Sequence, residues 1–322
     1  MLVRRITTCP LRAYTKRSLT WRPRPRRYTT SVPGASQQPA SNASILGGLT
    51  TELDRVAPRF EIRAEQIQVL ESPSEFYETL KSKIRGAKRR IYLSTLYIGR
   101  TEHELIATIR GQLQSNKELK VSFLADALRG TRETPDASCA SLLSPLVAEF
   151  PERVEVRMFH TPNLTGLRKR LIPKRINEGW GLQHMKLYGV DDEVILSGAN
   201  LSNDYFTNRQ DRYHVFSSKR ITDYYARLHH AVCSVSFRLT PKGPPATYTL
   251  DWPSSNGAPS PLKQPRAYIE ATTALLNPLI KPLPSSSPSP SPTSTLVYPI
   301  SSLTPSSPLH PLHRTPRPNH PS

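Results

Sequence analysis

The sequence predicts an α/β layer sandwich between two non-globular ends, on three observations. Between residues 53 and 240, short β-rich runs alternate with segments whose apolar residues recur at helical spacing. That alternation is the pattern of a sheet covered by helices. No run of 18 apolar residues interrupts it, so no segment reads as a bilayer-spanning helix. Outside it acidic residues vanish: the first 51 and the last 52 of the 322 residues contain neither Asp nor Glu.

The elements follow in order. Glu75–Arg85 places apolar residues at 76, 77, 80 and 84, one face of a helix. Arg90–Ile98 is β-rich and mostly apolar, a buried strand. Glu102–Gln114 aligns Leu105, Ile106, Ile109 and Leu113 on a second helical face, and Leu119–Leu124 is the next strand. Leu142–Phe150 reads as helix and Val154–Phe159 as an alternating strand. Gln183–Tyr188 and Val194–Leu196 read as strands around a Gly-Val-Asp-Asp turn. Tyr213–Phe216 is a further strand, and Thr222–Phe237 is the closing helix.

The ends carry much of the charge. The chain has 44 basic and 25 acidic residues, a formal +19. Nine basic groups lie in 1–51 and three in 271–322, so 52–270 carries only +7. A nucleic-acid reading based on total charge loses most of its force. Residues 1–35 mix Arg, Ser and Thr with scattered apolar residues, the composition of a mitochondrial transit peptide; a basic arm that binds nucleic acid is the alternative. Residues 36–52 read as linker. Residues 241–282 retain apolar content, whereas 284–322 hold 11 Pro and 11 Ser, and the tail 283–322 reads as disordered. Three scattered cysteines suit neither a disulfide framework nor a zinc site.

Chemistry concentrates in 184–213. His184, Lys186 and Asp191 form H-x-K-x4-D. On a strand, residues two apart share a face, so an imidazole and an ammonium would stand side by side. The imidazole can attack phosphorus while the ammonium neutralises phosphoryl oxygens. Gly189 would permit a turn that returns Asp191 toward them. Downstream, Asn200 and Ser202 can give a phosphate neutral donors.

With its continuation SGANLSNDYFTNRQDRY (197–213), this segment resembles the phospholipase D superfamily, and within it the eukaryotic phosphatidylglycerophosphate synthases. LSTLYIGRTEHEL (93–105), DALRGTR (126–132) and GWGLQHMK before the motif agree with that likeness, which covers roughly 60–282. The resemblance implies a mixed-sheet α/β/α sandwich. It further implies transfer of a phosphatidyl group from CDP-diacylglycerol to glycerol 3-phosphate with release of CMP, in cardiolipin and phosphatidylglycerol synthesis, without metal or cofactor. His184 would form a phosphohistidine, Lys186 would clamp phosphoryl oxygens, and Asp191 would support the motif. Asp211, on the next strand, would orient the imidazole.

The family carries two such motifs, and no other histidine here is followed two residues later by Lys. The chain therefore reads as the first of two repeats, truncated after it. Residues 241–282 would be part of the inter-repeat segment, and 283–322 would be a gene-model artefact. A single-motif phosphodiesterase or nuclease that pairs two copies across a dimer axis is the competing reading, and an inactive fragment the third.

Arg129 and Arg132 are candidates for binding substrate phosphate, or members of surface ion pairs. Arg168, Lys169 and Arg170, with Lys174 and Arg175, would meet a pyrophosphate or anionic headgroups, or form a solvated loop. The Tyr97–Gly99 junction offers backbone N–H groups to a phosphate. His229 and His230 read as structural. Contact with the matrix face of the anionic inner mitochondrial membrane would be peripheral. Nucleic acid is not expected as a partner, and a homo-oligomer is left open.

Overall fold

The computed structural model describes residues 42–132, 137–166, 171, 181–244, 246–282 and 294–301. The expected transit segment and the basic residues Arg168, Lys169, Arg170, Lys174 and Arg175 lie outside them. In chain order the elements are α1 (Asn42–Val56), β1 (Phe60–Arg63), β2 (Ile67–Leu70), α2 (Pro73–Arg85), β3 (Arg90–Ser94), α3 (His103–Ser115), β4 (Lys120–Asp126), α4 (Ala127–Gly130) and α5 (Cys139–Glu149). There follow β5 (Val154–Phe159), β6 (Leu187–Val190), β7 (Glu193–Leu196), α6 (Asn203–Thr207), β8 (Tyr213–Phe216), α7 (Lys219–Cys233), β9 (Phe237–Pro241), β10 (Tyr248–Asp251), α8 (Pro265–Ile280) and β11 (Ser294–Val297).

Nine strands form one mixed sheet in the order β10-β9-β5-β4-β3-β6-β7-β8-β2. The central β3, β4 and β5 are parallel, and every other pairing is antiparallel. On one face α2, α3 and α5 bury Phe76, Leu80, Leu105, Ile109, Leu143 and Leu146 against Leu93, Phe123 and Val156. On the other, α7 and α8 bury Ile221, Tyr224, Leu228 and Leu276 against Tyr92, Leu124 and Leu187. The architecture is the expected α/β/α sandwich.

Local chemistry sets the element ends. Ser72 caps α2 by accepting from Glu75 N, with Pro73 in the first turn, where its missing N–H costs nothing. Ser138 and Ser141 cap α5 reciprocally.

The structure departs from the sequence reading in five places. Strand β3 stops at Ser94, because Thr95 and the residues after it turn to bind the 199–201 segment. Strand β6 starts at Leu187, so 183–186 leads into the sheet as extended chain outside the ladder. The closing helix ends at Cys233, and Phe237 already opens β9. Helix α1 occupies most of the expected linker. Finally, the tail expected to be disordered contributes β11, which pairs antiparallel with β1 in the register Phe60↔Val297 to Arg63↔Ser294. Ser294 Oγ donates to Glu61 Oε1 at 2.6 Å and Tyr298 OH to Asp54 Oδ1 at 2.9 Å.

Candidate active site

Parallel strands end their chains at one edge of the sheet, and the antiparallel β6 begins there. Ser94, last in β3, faces Leu187, first in β6. His184 and Lys186 therefore sit just beyond the sheet, beside the carboxyl ends of β3, β4 and β5. That edge is where open α/β sheets place ligands.

The pair is brought together, although not through the pleat of a strand. His184 presents an exposed side chain and Lys186 is only 6% exposed. Lys186 Nζ donates to the backbone carbonyl of His184 at 2.8 Å. Among the described residues no hydrogen-bond partner engages the His184 imidazole, which leaves it open toward solvent. Burial lowers the Lys186 pKa to about 8, partly offset by the nearby Asp211 carboxylate. The protein around His184, and then the Lys186 charge, hold its pKa below the ordinary histidine value.

Asp211 lies two residues before β8 rather than on it. Its Oδ1 accepts from Gly198 N at 2.9 Å and Arg212 N at 2.6 Å. These bonds fix the carboxylate over the end of β7, within electrostatic reach of Lys186. A Cβ on Gly198 would lie 2.5 Å from Asp211 Oδ2, so the close approach requires glycine there. The buried Asn200 turns its Oδ1 inward, toward Leu96 N at 3.3 Å and Thr95 Oγ1 at 3.4 Å. It thereby fixes the loop after β3, and Tyr188 OH holds the Ala199 carbonyl from below. Ser202 opens α6, and its buried Oγ has no hydrogen-bond partner among the described residues.

Asp191 stands elsewhere. Residue 191 closes the β6–β7 hairpin at the opposite edge, five residues from Lys186, or about 16 Å at ~3.3 Å per residue. Its carboxylate accepts from Lys88 N, Arg89 N and Arg90 N at 2.8, 2.8 and 3.1 Å. Burial pushes its pKa up, and those three donors outweigh that and bring it below the usual carboxylate value. Gly189 makes no turn. It lies within β6 opposite Tyr92, where a Cβ would come 1.9 Å from the ring. The Gly99 N–H, offered by the sequence to a phosphate, already donates to Leu201 O at 2.7 Å.

Arg129 and Arg132 follow β4 onto the His184 edge. The Arg129 guanidinium lies 4.8 Å from the Tyr97 ring centroid. Sequence reasoning missed two neighbours. Asp126, fully buried at the end of β4, accepts from Leu128 N, Arg129 N and Gln183 N at 2.9, 2.9 and 3.0 Å. Gln183, 4% exposed, has neither side-chain amide atom hydrogen-bonded among the described residues. The aspartate before a helical turn was the available signal for the first. No signal marked the second.

No family model matches the chain. A curated CDP-diacylglycerol–glycerol-3-phosphate 3-phosphatidyltransferase of Saccharomyces cerevisiae is 45% identical over 283 residues, 84% of this chain and 54% of that protein. A mitochondrial protein of the same name from Gallus gallus is 48% identical over 193 residues, 57% of this chain and 34% of its own. The crystal structure of phosphatidylserine synthase from Haemophilus influenzae is 24% identical, with a TM-score of 0.49, covering 62% of this chain and 45% of that one. The chain thus spans about half the length of the curated relatives it matches. Over that span it belongs to the family of the CDP-diacylglycerol–glycerol-3-phosphate 3-phosphatidyltransferases.

Proposed function

We propose that this chain carries the nucleophile-bearing half of a phosphatidyltransferase that makes phosphatidylglycerophosphate from CDP-diacylglycerol and glycerol 3-phosphate. The observation that carries the reading is the His184–Lys186 pair at the carboxyl edge of the parallel strands, an open imidazole beside a buried ammonium. A His184 ring nitrogen attacks the phosphorus that bears diacylglycerol. The P–O bond of the pyrophosphate bridge breaks, CMP leaves, and a phosphohistidine holds the phosphatidyl group. A hydroxyl of glycerol 3-phosphate then attacks the same phosphorus, the N–P bond breaks, and the hydroxyl proton is released. The ring is cationic while it is phosphorylated, and the Asp211 carboxylate stabilises that charge. Lys186 neutralises the phosphoryl oxygens in both transition states. Arg129 and Arg132, on the same edge, meet the second phosphate.

Asp191 holds the far hairpin and takes no part in the chemistry. No described helix is long and apolar enough to cross a membrane, and the reading has the chain meet its lipid peripherally. Vertebrate relatives carry "mitochondrial" in their names, which together with the acid-free leader supports a site on the matrix face of the inner membrane.

The test is CMP release from CDP-diacylglycerol with glycerol 3-phosphate, run beside a DNA phosphodiester. Release that disappears in His184→Ala supports the reading. DNA cleavage by a dimeric species, or CMP release that survives His184→Ala, overturns it.

A further inference from the structure

A second charged feature lies at the other edge of the sheet. There the amino ends of β3, β4 and β5, the last turn of α7 and strand β9 enclose a groove of about 400 Å³. Lys120 opens β4 and Asp126 closes it, so the groove lies about 20 Å from the His184 edge at ~3.3 Å per residue. Its walls include Arg90, Lys120, Arg153, Arg238 and His230 against Glu152 and Glu155.

Two rows of like charge cross this face of the sheet. Arg90 stands directly opposite Lys120 on the neighbouring strand, and Arg157 directly opposite Arg238. Like charges in such positions repel unless something neutralises them. One member of each row is neutralised by the protein. Arg90 pairs with Asp223, and Arg157 holds Glu155 at 2.6 Å and Asn256 Oδ1 at 2.9 Å. The other members, Lys120 and Arg238, are exposed, and neither side chain has an ion pair or hydrogen bond among the described residues. Arg153 turns to the carbonyls of Leu113 and Asn116, which leave its charge uncompensated. Against these three cations stand the exposed carboxylates of Glu152 and of Asp251, the latter opposite Arg238 on β10 but bonded to Thr249 Oγ1 and in no ion pair with the arginine among the described residues.

We propose that this groove binds a phosphate-bearing anion between Lys120 and Arg238, distinct from the substrate site at the His184 edge. A lysine gives a compact charge and an arginine a planar fork, and together they suit a ligand with several anionic oxygens. The groove is within the size range of small-ligand pockets and has room for a group larger than a lone ion. That chemistry is found both in a phospholipid headgroup and in a free phosphate or nucleotide. The proposal does not depend on the catalytic reading.

Binding measured on the full chain tests it, in a Lys186→Ala background so that the other edge contributes little. The probes are CMP by calorimetry and vesicles of phosphatidylcholine containing phosphatidic acid by flotation. The groove variant is Lys120→Glu/Arg238→Glu, and the control is Lys263→Glu/Arg266→Glu, the same charge change on exposed residues that do not line the groove. The expected result is about tenfold weaker binding in the groove variant alone. Loss with both probes identifies the shared phosphate, loss with vesicles only a headgroup, and loss with CMP only a soluble ligand; each supports the site. Equal weakening in the control, or none in the groove variant, overturns it. A gentler pair, Lys120→Ala/Arg238→Ala, guards against misfolding. Inorganic phosphate should raise the Tm of the parent protein and leave that variant unmoved. An equal rise in both is a second way for the proposal to fail.

Discussion

Lys186 donates from its ammonium to the main-chain carbonyl of His184, so the proposed phosphate clamp also fixes the backbone that presents the proposed nucleophile. The lysine is held where its charge is disfavoured. Its pKa is about 8 in the fold against about 10.5 in the unfolded chain. Between those values the unfolded state keeps a proton that the native state has released, so stability rises with pH across that window. Lys186→Met should abolish that slope and raise the unfolding free energy at pH 7 by on the order of 1 kcal/mol, while turnover is lost. Urea melts at pH 7 and pH 10 check both signs, and a large destabilisation would count against a strained ammonium.

Catalysis should follow a bell-shaped pH profile. The acid limb reports His184, which must be neutral to attack, and should fall below the ordinary histidine value because burial and Lys186 disfavour its protonated form. The alkaline limb should fall near pH 8 as Lys186 loses its charge. Lys186→Arg, if active, should lack the alkaline limb, since guanidinium stays charged. A wild-type kcat/KM that stays flat from pH 8 to 10 would sink the clamp assignment.

Asp191 should matter to stability and not to chemistry. Its φ of 50° lies in the left-handed region, which Asn tolerates, so Asp191→Asn isolates the loss of a charged acceptor. About 1–3 kcal/mol of stability should go, with turnover per folded molecule unchanged. The folded pKa of Asp191 is depressed, so its contribution is present above the unfolded value and disappears as pH falls through the folded one. Melts of both proteins should therefore converge in acid.

Gly189→Ala should be among the more damaging single-methyl changes. Tyr92 cannot move aside freely, because its OH donates to Thr222 O at 2.9 Å and its ring packs 5.4 Å from that of His229. A loss of about 3 kcal/mol is expected, read by thermal melting.

Deleting residues 294–322 should act locally. Strand β1 pairs with β11 and buries Phe60 and Ile62 beneath that pairing. Amide exchange at Phe60–Arg63 should accelerate, while amides of β3 and β4 keep their protection.

These predictions also mark what the sequence disclosed. The helical faces at 75–85 and 102–114 were legible because each buries one stripe of apolar residues. His184 and Lys186 were legible as neighbours because two residues of spacing keep them close in any extended chain, and the structure brings them together. Asp191 was misplaced because sequence spacing is silent about direction: five residues can be a turn or the length of a strand, and here they are mostly strand. Gly189 looked like a hinge, yet its lack of a side chain serves a tyrosine 97 residues away in sequence. Strand β11 was hidden because Ser and Pro dominate composition around a short run, Ser294–Val297, whose order comes from an edge elsewhere. The grip of Asp126 on Gln183 was invisible for the same reason.

That grip has a mechanical meaning. One carboxylate holds both the amide entering the His184 run and the first turn of the helix bearing Arg129. The backbone approaching the proposed nucleophile and the backbone of a candidate phosphate-binding arginine are thus tied to one side chain. A donor lipid at this edge would meet two groups whose main chains are anchored in common before it arrives, so Asp126→Ala would loosen both at once.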